Sequence, residues 1–451
     1  MNRIALALCV AIAGAARADE PKGPRAGVAV RVITPGEPLW MAGYASRTKP
    51  AQGKAHDLKV KALAIDDPAG ATLVLVTTDL IGIPHELGVA VAKDVEKRTK
   101  LPRERLMLSS SHTHSGPVVN HSLMDMYPLS PEQTKAVEAY TDRLKDNIVG
   151  VVVDALADRK PAKVSYGSGS AAFAINRRQS TDKGFVIGRA PKGLVDHSVP
   201  VLRVDDMDGR VKAIAFGYAC HNTTLDGYDW NGDYAGYAQL AVEAKHPGAV
   251  ALFWIGCGAD ANPDPRRTVE LAERHGRELA ESVDAVLPKT VPLSGAFAAA
   301  YATLPLDLTD APSRVKLQAD TMDKVHAVRQ RASRFLKVLD AKGSLPTRYE
   351  DYPVQVWQLG TGPVWTALGG EVVVDYALRL KKELAGNRPI WVAGYCNDVM
   401  AYIPSERVLK EGGYEADSSM IYYGQPGRWA PGLEQKIVGK VHDLVARIQK
   451  P

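Results

Sequence analysis

The chain has 451 residues, of which 45% are hydrophobic and 24% are charged, and its formal net charge at pH 7 is +5. This is the composition of an ordinary globular protein, so it excludes a disordered chain, a collagen-like chain and a heptad coiled coil. The small net charge, without any run of five lysines or arginines, excludes the usual electrostatic footprint of nucleic-acid binding. The length allows one large domain or two to three small ones.

The first eighteen residues predict a secretory signal peptide. Arg3 supplies the positive start, residues 4–16 carry no charge, and a small-x-small cleavage site ends at Ala18. The apolar run is too short to span a bilayer as a helix, and a short N-terminal membrane anchor is the alternative. We therefore expect export to the periplasm or the exterior and a mature domain over residues 19–451. No later segment approaches about 20 consecutive apolar residues, so we expect no transmembrane segment.

The hydrophobic pattern, taken in chain order, alternates between strand-like and helix-like segments. Strands are predicted at residues 27–33, 60–65, 71–77, 105–110, 199–204, 211–220, 249–255, 352–359, 364–368 and 389–395. Helices are predicted at residues 86–98, 131–157, 234–245, 266–287, 315–340, 373–384 and 431–448. This alternation predicts a mixed α/β fold, with a single large domain around a central mixed sheet.

Three cysteines follow the expected cleavage site, namely Cys220, Cys257 and Cys396. An odd number of cysteines cannot pair completely, so the fold is not a disulfide scaffold. One bridge with one thiol, or three buried thiols, both remain open.

Several predicted strands run directly into polar side chains. His112 and His114 follow the strand that ends at Ser110, and His221 follows the strand that ends near Cys220. Sites in α/β sheets form beyond the carboxyl ends of strands, so we expect these segments to converge. Two histidines at i and i+2 among small residues suit a zinc site whose other ligands come from elsewhere, although a solvated loop with two incidental histidines has the same spacing.

Glu371 follows two glycines and opens a predicted helix. The helix dipole favours a carboxylate there, so Glu371 is either a structural cap or a group that a ligand can approach closely. Tyr402 and Tyr414 look by composition like ordinary tyrosines. The chain has no H-E-x-x-H, G-x-S-x-G, Walker or dinucleotide-binding motif, which argues against ordinary zincins, α/β-hydrolases and nucleotide enzymes.

The order of six segments carries more information than any one of them. These are residues 41–45 (Met-Ala-Gly-Tyr-Ala), residues 111–117 (Ser-His-Thr-His-Ser-Gly-Pro), Asn176-Arg177, His221 with residues 232–238, Gly370-Glu371, and Tyr402 with Tyr414. In this order they resemble the N-terminal catalytic domain of the neutral/alkaline non-lysosomal ceramidase family, from about residue 27 to about residue 424.

The resemblance implies one zinc ion per chain with four protein ligands, His112, His221, Glu371 and Tyr402. It further implies that His114, Arg177 and Tyr414 line the site. Zinc would polarise a scissile carbonyl and activate a bound water, and Tyr414 and His114 would donate to the oxyanion or to the leaving amine. This chemistry suits hydrolysis of an amide or an ester.

The chain departs from the family pattern in two places. The family segment G-D-V-S-P-N carries a catalytic serine, and here residues 259–264 place Asn262 at the position of that serine. An amide cannot act as that nucleophile, and Asp260 in the same segment either orients water and ligands or is structural. We also expect the C-terminal immunoglobulin-like domain of characterised ceramidases to be absent, because the chain ends at Pro451.

The sequence therefore predicts an exported, zinc-dependent, ceramidase-like amidohydrolase. It would cleave an N-acyl bond of a small-molecule or lipid-like substrate by attack of zinc-bound water, with no nucleic-acid partner. A transient contact with a membrane surface stays open. The alternatives are a zinc hydrolase of a non-lipid ester or acylated sugar, and a non-catalytic, zinc-stabilised binding protein. A ligand set of two nitrogens and two oxygens also tolerates other divalent ions.

Overall fold

The computed structural model describes residues 23–449, so the predicted signal peptide at residues 1–18 lies outside the described residues. The helices of the described part are α1 (His85–Thr99), α2 (Pro131–Ala157), α3 (Asp233–Lys245), α4 (Val269–Val286), α5 (Arg314–Asp320), α6 (His326–Lys342), α7 (Val374–Glu383), α8 (Glu406–Glu411) and α9 (Leu433–Gln449). None of these helices combines the length and the apolar character needed to cross a membrane.

The strands of the first half are β1 (Arg25–Val32), β2 (Gly53–Lys54), β3 (Lys59–Asp66), β4 (Thr72–Thr78), β5 (Leu106–Ser110), β6 (Lys160–Ser170), β7 (Ala174–Thr181), β8 (Gly184–Ala190), β9 (Ser198–Asp206) and β10 (Val211–Tyr218). Those that follow are β11 (Asp229–Trp230), β12 (Val250–Ile255), β13 (Ala261–Pro263), β14 (Val291–Pro292), β15 (Ala298–Thr309), β16 (Arg348–Gln358), β17 (Val364–Leu368), β18 (Glu371–Val372), β19 (Ile390–Ala393), β20 (Tyr402–Ile403) and β21 (Arg428–Trp429).

The architecture has four layers, two of sheet between two of helix. A nine-stranded mixed sheet has the order β12-β10-β9-β6-β1-β3-β4-β5, with β14 paired to β6, and a five-stranded sheet has the order β19-β17-β16-β15-β21. Helices α1 to α4 cover the outer face of the larger sheet. The five-stranded sheet packs on the inner face of the nine-stranded sheet, and helices α7 and α9 cover the outer face of the five-stranded sheet. The predicted mixed α/β fold is confirmed.

The large sheet curls until its two edge strands, β5 and β12, approach each other. Their directions in the sheet are formally opposite, because the pairings between them include an odd number of antiparallel steps. A twist of about 20–25° at each of the seven steps adds up to roughly half a turn, which aligns the two edges in space. The end of β19 and the residues that follow it then bridge the two edges, because Ala393 pairs with Gly256 just beyond β12 and Cys396 pairs with Ser109 of β5. The carboxyl ends of β5 and β12 therefore meet at one place.

Local signals account for the elements that the sequence predicts well. Helix α2 begins at Pro131 because Ser130 caps it, in a capping box with Gln133. Strand β4 is an apolar run that is buried on both faces. Most predicted elements coincide with observed ones to within a few residues. Cys220, Cys257 and Cys396 are three buried, unbridged thiols, the second of the two arrangements left open.

The predicted helix at residues 315–340 is wrong as a single element, since the structure has two helices, α5 and α6, there. The break follows from short polar side chains that bond to the nearby backbone. Thr321 Oγ1 donates to the carbonyl of Gln318 at 2.7 Å, and Asp323 Oδ1 accepts from the amide of Val325 at 2.7 Å. Such local bonds offer the backbone an alternative to the helix.

Candidate metal centre and active site

His112 and His221 direct the same ring nitrogen, Nε2, toward one point, the Oε2 atom of Glu371. His112 lies directly beyond β5 with a left-handed backbone (φ 60°), an uncommon conformation for a residue with a side chain. Its Nδ1 bonds to the carbonyl of Ile81 at 2.6 Å, and His221 Nδ1 bonds to the carbonyl of Gly258 at 2.8 Å. A carbonyl only accepts, so each Nδ1 carries the proton and, in the neutral ring, each Nε2 offers a lone pair.

Glu371 and Tyr402 are neighbours in the short parallel pair of β18 and β20, where they stand opposite each other. The Oε2 atom of Glu371 lies 3.2 Å from His112 Nε2 and 3.1 Å from His221 Nε2. The hydroxyl of Tyr402 lies 3.2 Å from His221 Nε2. The four residues on which the sequence prediction placed the zinc ion therefore converge, and all of them are buried.

The protonation of this group leaves an electrostatic conflict. Burial, together with the Arg177 charge, lowers the pKa of His221 to about 4, so the ring is neutral near pH 7. Burial opposes ionisation of Glu371, but the adjacent His112 and His221 rings hold its pKa well below its usual range. Because neutral His221 bonds to the Gly258 carbonyl through Nδ1, its Nε2 lone pair faces the carboxylate oxygen in a buried space. A bound cation would resolve this repulsion, so these residues fit a metal ion.

His114 joins the same cluster. Its Nε2 lies 3.1 Å from His112 Nε2, and its Nδ1 is buried without a hydrogen-bond partner among the residues that the structure describes. One ring nitrogen from each of His112, His114 and His221 lies within 4.8 Å of the other two. Burial lowers the pKa of His114 well below its usual range, and the two neighbouring imidazoles add to the effect. A side chain at Gly43 would reach within 2.4 Å of His114 Nδ1, so only glycine fits there.

Arg177 on β7 connects the cluster to a buried ion pair. It donates to the Tyr402 hydroxyl at 3.0 Å and to Glu415 at 2.8 Å. Arg178 donates to the other oxygen of Glu415 at 2.6 Å, so one carboxylate serves two buried guanidiniums. Burial raises the pKa of Tyr402 well above its usual range, although Arg177 opposes that rise.

Tyr414 lies beside this group without a fixed partner. Its ring centroid is 5.3 Å from that of Tyr402, and the Arg177 guanidinium lies 5.8 Å from it. Within residues 23–449 its hydroxyl makes no hydrogen bond. Burial foremost, and then the Glu371 charge, raise the pKa of Tyr414, so the phenol is protonated and can donate.

Asn262 and Asp260 face different partners. Asn262 Oδ1 accepts from Arg177 Nη1 at 3.4 Å and from Thr223 Oγ1 at 3.3 Å, which places Asn262 at the site. The Asp260 carboxylate instead accepts from the amide of Val374 at 2.8 Å and from the Asn176 side chain at 3.0 Å. Burial raises the pKa of Asp260 to about 6. Its contacts join the start of α7 to β7.

Two site residues had no sequence signal. Tyr423 donates from its hydroxyl to Glu371 Oε1, the oxygen that does not face the imidazoles. Glu415 is the shared acceptor of Arg177 and Arg178. Neither residue belongs to a periodic segment, and the Arg177–Glu415 contact spans 238 positions of sequence.

The set of donors matches the chemistry of zinc. Imidazole nitrogens and carboxylate oxygens are common zinc ligands, and ligating histidines usually donate their other ring N–H to a carbonyl or carboxylate. Both His112 and His221 do so.

Known proteins resemble the chain in sequence over its first half and in fold over nearly all of it. The family described as neutral/alkaline non-lysosomal ceramidase, N-terminal, matches residues 26–266. Neutral ceramidase A of Dictyostelium discoideum is 26% identical over 261 residues, which are 52% of this chain and 35% of that protein. Neutral ceramidase B of the same organism is 25% identical over 247 residues, or 50% and 33% of the two chains. The match thus spans about a third of these relatives.

Solved structures show the same fold. A ceramidase complexed with C2 superposes with a TM-score of 0.72 at 20% sequence identity, covering 96% of this chain and 76% of that one. A neutral ceramidase from Pseudomonas aeruginosa superposes with a TM-score of 0.70, with the same identity and coverage.

Proposed function

Because the chain belongs to the neutral/alkaline non-lysosomal ceramidase family, we propose that it is a zinc-dependent hydrolase that cleaves an N-acyl amide bond. The observation that carries the proposal is the convergence of His112 Nε2, His221 Nε2 and Glu371 Oε2 in a buried space. The names of the relatives suggest ceramide, and we carry over only its chemical class, an N-acyl amide.

In this proposal His112, His221, Glu371 and Tyr402 hold the zinc ion. A zinc ion there supplies a Lewis acid that polarises the scissile carbonyl and lowers the pKa of a water molecule. The carbonyls of Ile81 and Gly258 fix the two imidazole tautomers, so both rings present Nε2 without rearrangement. Arg177 donates to the Tyr402 oxygen and so fixes the direction of its remaining lone pairs.

The remaining groups would handle charge and protons. When the C–N bond breaks, the leaving nitrogen needs a proton. Tyr414 is a protonated phenol without a fixed partner, so it can donate to the oxyanion or to that nitrogen. His114, whose Nδ1 is unsatisfied, is the second donor or acceptor at the same place. Asn262 already accepts from Arg177 and Thr223, which supports a positioning role and leaves water as the nucleophile.

One feature favours a substrate with a polar part over one that is wholly apolar. A cavity of about 420 Å³ touches Tyr423, the tyrosine that donates to Glu371. Its lining combines Leu123 and Met124 with the charged side chains of Glu86, Asp125 and Arg334. The second candidate function, hydrolysis of a polar ester or acylated sugar by the same groups, rests on this mixed lining.

The test is to measure zinc content and hydrolysis on the same samples. We expect about one zinc per chain in the purified protein, and the loss of both zinc and activity in His112→Ala and Glu371→Ala. His442→Ala is the matched control, because His442 is exposed on α9 and bonds to Glu383. The substrate panel holds N-acyl amides of short and long chain together with matched esters.

The outcomes separate the candidates. Hydrolysis of amides supports the proposal, and hydrolysis of esters alone favours the second candidate. Bound zinc without turnover of any substrate favours a zinc-stabilised binding protein. A protein that binds no zinc contradicts all three.

A further inference from the structure

Two tyrosines, Tyr44 and Tyr414, flank the histidine cluster of the proposed metal centre. His114 is the most exposed of the three clustered histidines, at 8%. The half-buried ring of Tyr44 lies 4.8 Å from the His114 ring, measured between centroids, and Tyr414 flanks the centre on the side of Tyr402.

Arg47, Arg177 and Arg267 lie within 6 Å of these two tyrosine rings, and each has a partner within residues 23–449. Arg177 pairs with Glu415, Arg267 pairs with Asp226 at 2.9 Å, and Arg47 donates to two backbone carbonyls. Arg266 differs from them. In the part of the chain that the structure describes, its half-buried guanidinium forms no hydrogen bond and no ion pair.

The position of Arg266 relates it to the site. It follows β13, the strand that brings Asn262 against Arg177. Burial lowers the pKa of Arg266, the like charges of Arg267 and Arg177 lower it further, and Tyr44 counters them. The guanidinium of the next residue, Arg267, lies 5.9 Å from the ring centroid of Tyr44, the residue that packs on His114, so Arg266 belongs to the chain segment that contacts this part of the site.

The other charges nearby do not neutralise Arg266. Asp226 is exposed and already pairs with Arg267. Burial raises the pKa of Tyr44 to about 12, so Tyr44 is a neutral phenol. Asp233 is buried, and its two carboxylate oxygens accept hydrogen bonds from the backbone amides of Thr224, Leu225 and Tyr234. A half-buried guanidinium among like charges carries a cost unless an anion pairs with it.

We propose that Arg266 binds an anionic group of the substrate, so that the substrates are N-acyl compounds whose amine part carries an acid, of which N-acyl amino acids are the simplest. This inference rests on the proposed function. A guanidinium offers paired N–H donors that match a carboxylate, and it would bind a sulfonate or a phosphate by the same chemistry. In the reaction the oxygen of water bonds to the acyl carbon, the C–N bond breaks and the nitrogen takes up a proton, which releases a fatty acid and an amino acid.

The test compares two substrates that differ in one charge, N-dodecanoylglycine and N-dodecanoylglycinamide. We expect the wild-type enzyme to prefer the carboxylate. We expect Arg266→Gln to raise KM for N-dodecanoylglycine by about 10- to 100-fold, the usual effect of losing a charge-assisted pair. Turnover of the neutral amide should stay within about twofold, and Arg266→Lys should restore part of the preference because it keeps the charge.

Arg189→Gln is the matched control, since Arg189 is an exposed arginine on β8 that pairs with Asp264. The control should leave the preference between the two substrates in place. N-Dodecanoyltaurine and O-phosphorylated N-dodecanoylethanolamine then show whether a sulfonate or a phosphate is preferred to the carboxylate.

Two results overturn the inference and differ in what they say about the proposed function. If both glycine derivatives are hydrolysed equally and Arg266→Gln changes neither, the anion site is refuted while the amide hydrolase stands. If neither these nor any other N-acyl compound is hydrolysed, the proposed function fails and the inference fails with it. Melting temperatures of the variants show that the fold is intact in each case.

Discussion

The replacement Tyr423→Phe isolates one hydrogen bond at the metal centre. Glu371 Oε2 faces the two imidazoles, and Oε1 accepts from the Tyr423 hydroxyl. The other phenol near this carboxylate, Tyr395, lies 3.5 Å from Oε2, at the limit of a hydrogen bond. Tyr423 is thus the group that fixes the rotation of the carboxylate. Phenylalanine keeps the ring and its packing and removes only the donor.

The size of the effect follows from the charge of the acceptor. A hydrogen bond to an ionised group contributes about 1.5–3 kcal/mol, and each 1.4 kcal/mol is a factor of about ten in affinity. We therefore expect Tyr423→Phe to weaken zinc binding by about 10- to 150-fold, which agrees with the roughly 10- to 100-fold effect known for partners of metal ligands. Activity at saturating zinc should recover in part.

The assay is a competition for zinc between the protein and a chromophoric chelator, at fixed pH and ionic strength. Tyr422→Phe is the matched control, because Tyr422 is the neighbouring residue and its hydroxyl forms no hydrogen bond within the described chain. Its zinc affinity should equal that of the wild type. A Tyr423→Phe affinity within about threefold of the wild type would refute the view that this bond orients Glu371.

Three further predictions concern stability. Removing zinc with a chelator should lower the melting temperature by several degrees. The reason is that a ligand at 1,000 times its Kd stabilises the folded state by about 4 kcal/mol. A melting temperature that added zinc does not restore would contradict this prediction. Glu415→Gln should cost about 3–5 kcal/mol in denaturant unfolding, since it leaves buried Arg177 without a counter-charge and Arg178 with Glu411 alone. Glu411→Gln, at a partly exposed site, should cost less, because Glu415 still pairs with both arginines. Burial raises the pKa of Asp260 to about 6 in the folded protein. Between about pH 4 and pH 6 the folded form therefore keeps a proton that the unfolded form has lost. The free energy of unfolding should fall by about 3 kcal/mol over this range. In Asp260→Asn this fall should be absent, and parallel stability curves for the two proteins would show that burial does not perturb Asp260.

The elements predicted well from sequence are those whose signals are local. Strands β4 and β5 are apolar runs, and α2 has its capping serine and its proline. The hydrophobic pattern predicts no strand at β6, β7, β8 or β15. The compositions of β6, β7 and β15 conflict with ordinary strand propensity, whereas the prediction missed a strand-like run, Phe185 to Ile187, in β8. Strand β7 is rich in polar residues since its arginines serve buried partners, and β15 begins with alanines, which favour helices.

The same distinction between local and long-range signals applies to the residues of the site. Strand ends predicted that His112 and His221 would converge, and they do, but only because the twist of the large sheet brings formally opposite ends together. That twist is a property of the whole sheet, which no local pattern contains. Tyr423 and Glu415 could not be found from sequence because their partners, Glu371 and Arg177, lie far along the chain.

Asn262 stands where the sequence resemblance implies a catalytic serine, and its contacts suit the positioning of Arg177. Its carbonyl oxygen accepts from Arg177, and Arg177 in turn donates to Tyr402, a proposed zinc ligand. A serine there would have a shorter side chain with a hydroxyl that could donate as well as accept, whereas the amide oxygen of Asn262 only accepts. Asn262 can therefore orient Arg177 and still not attack a carbonyl, which leaves water as the nucleophile in the proposed reaction. The geometry of the metal centre does not depend on a nucleophile at this position, because the ligands are fixed by Ile81, Gly258 and the pairing of β18 with β20.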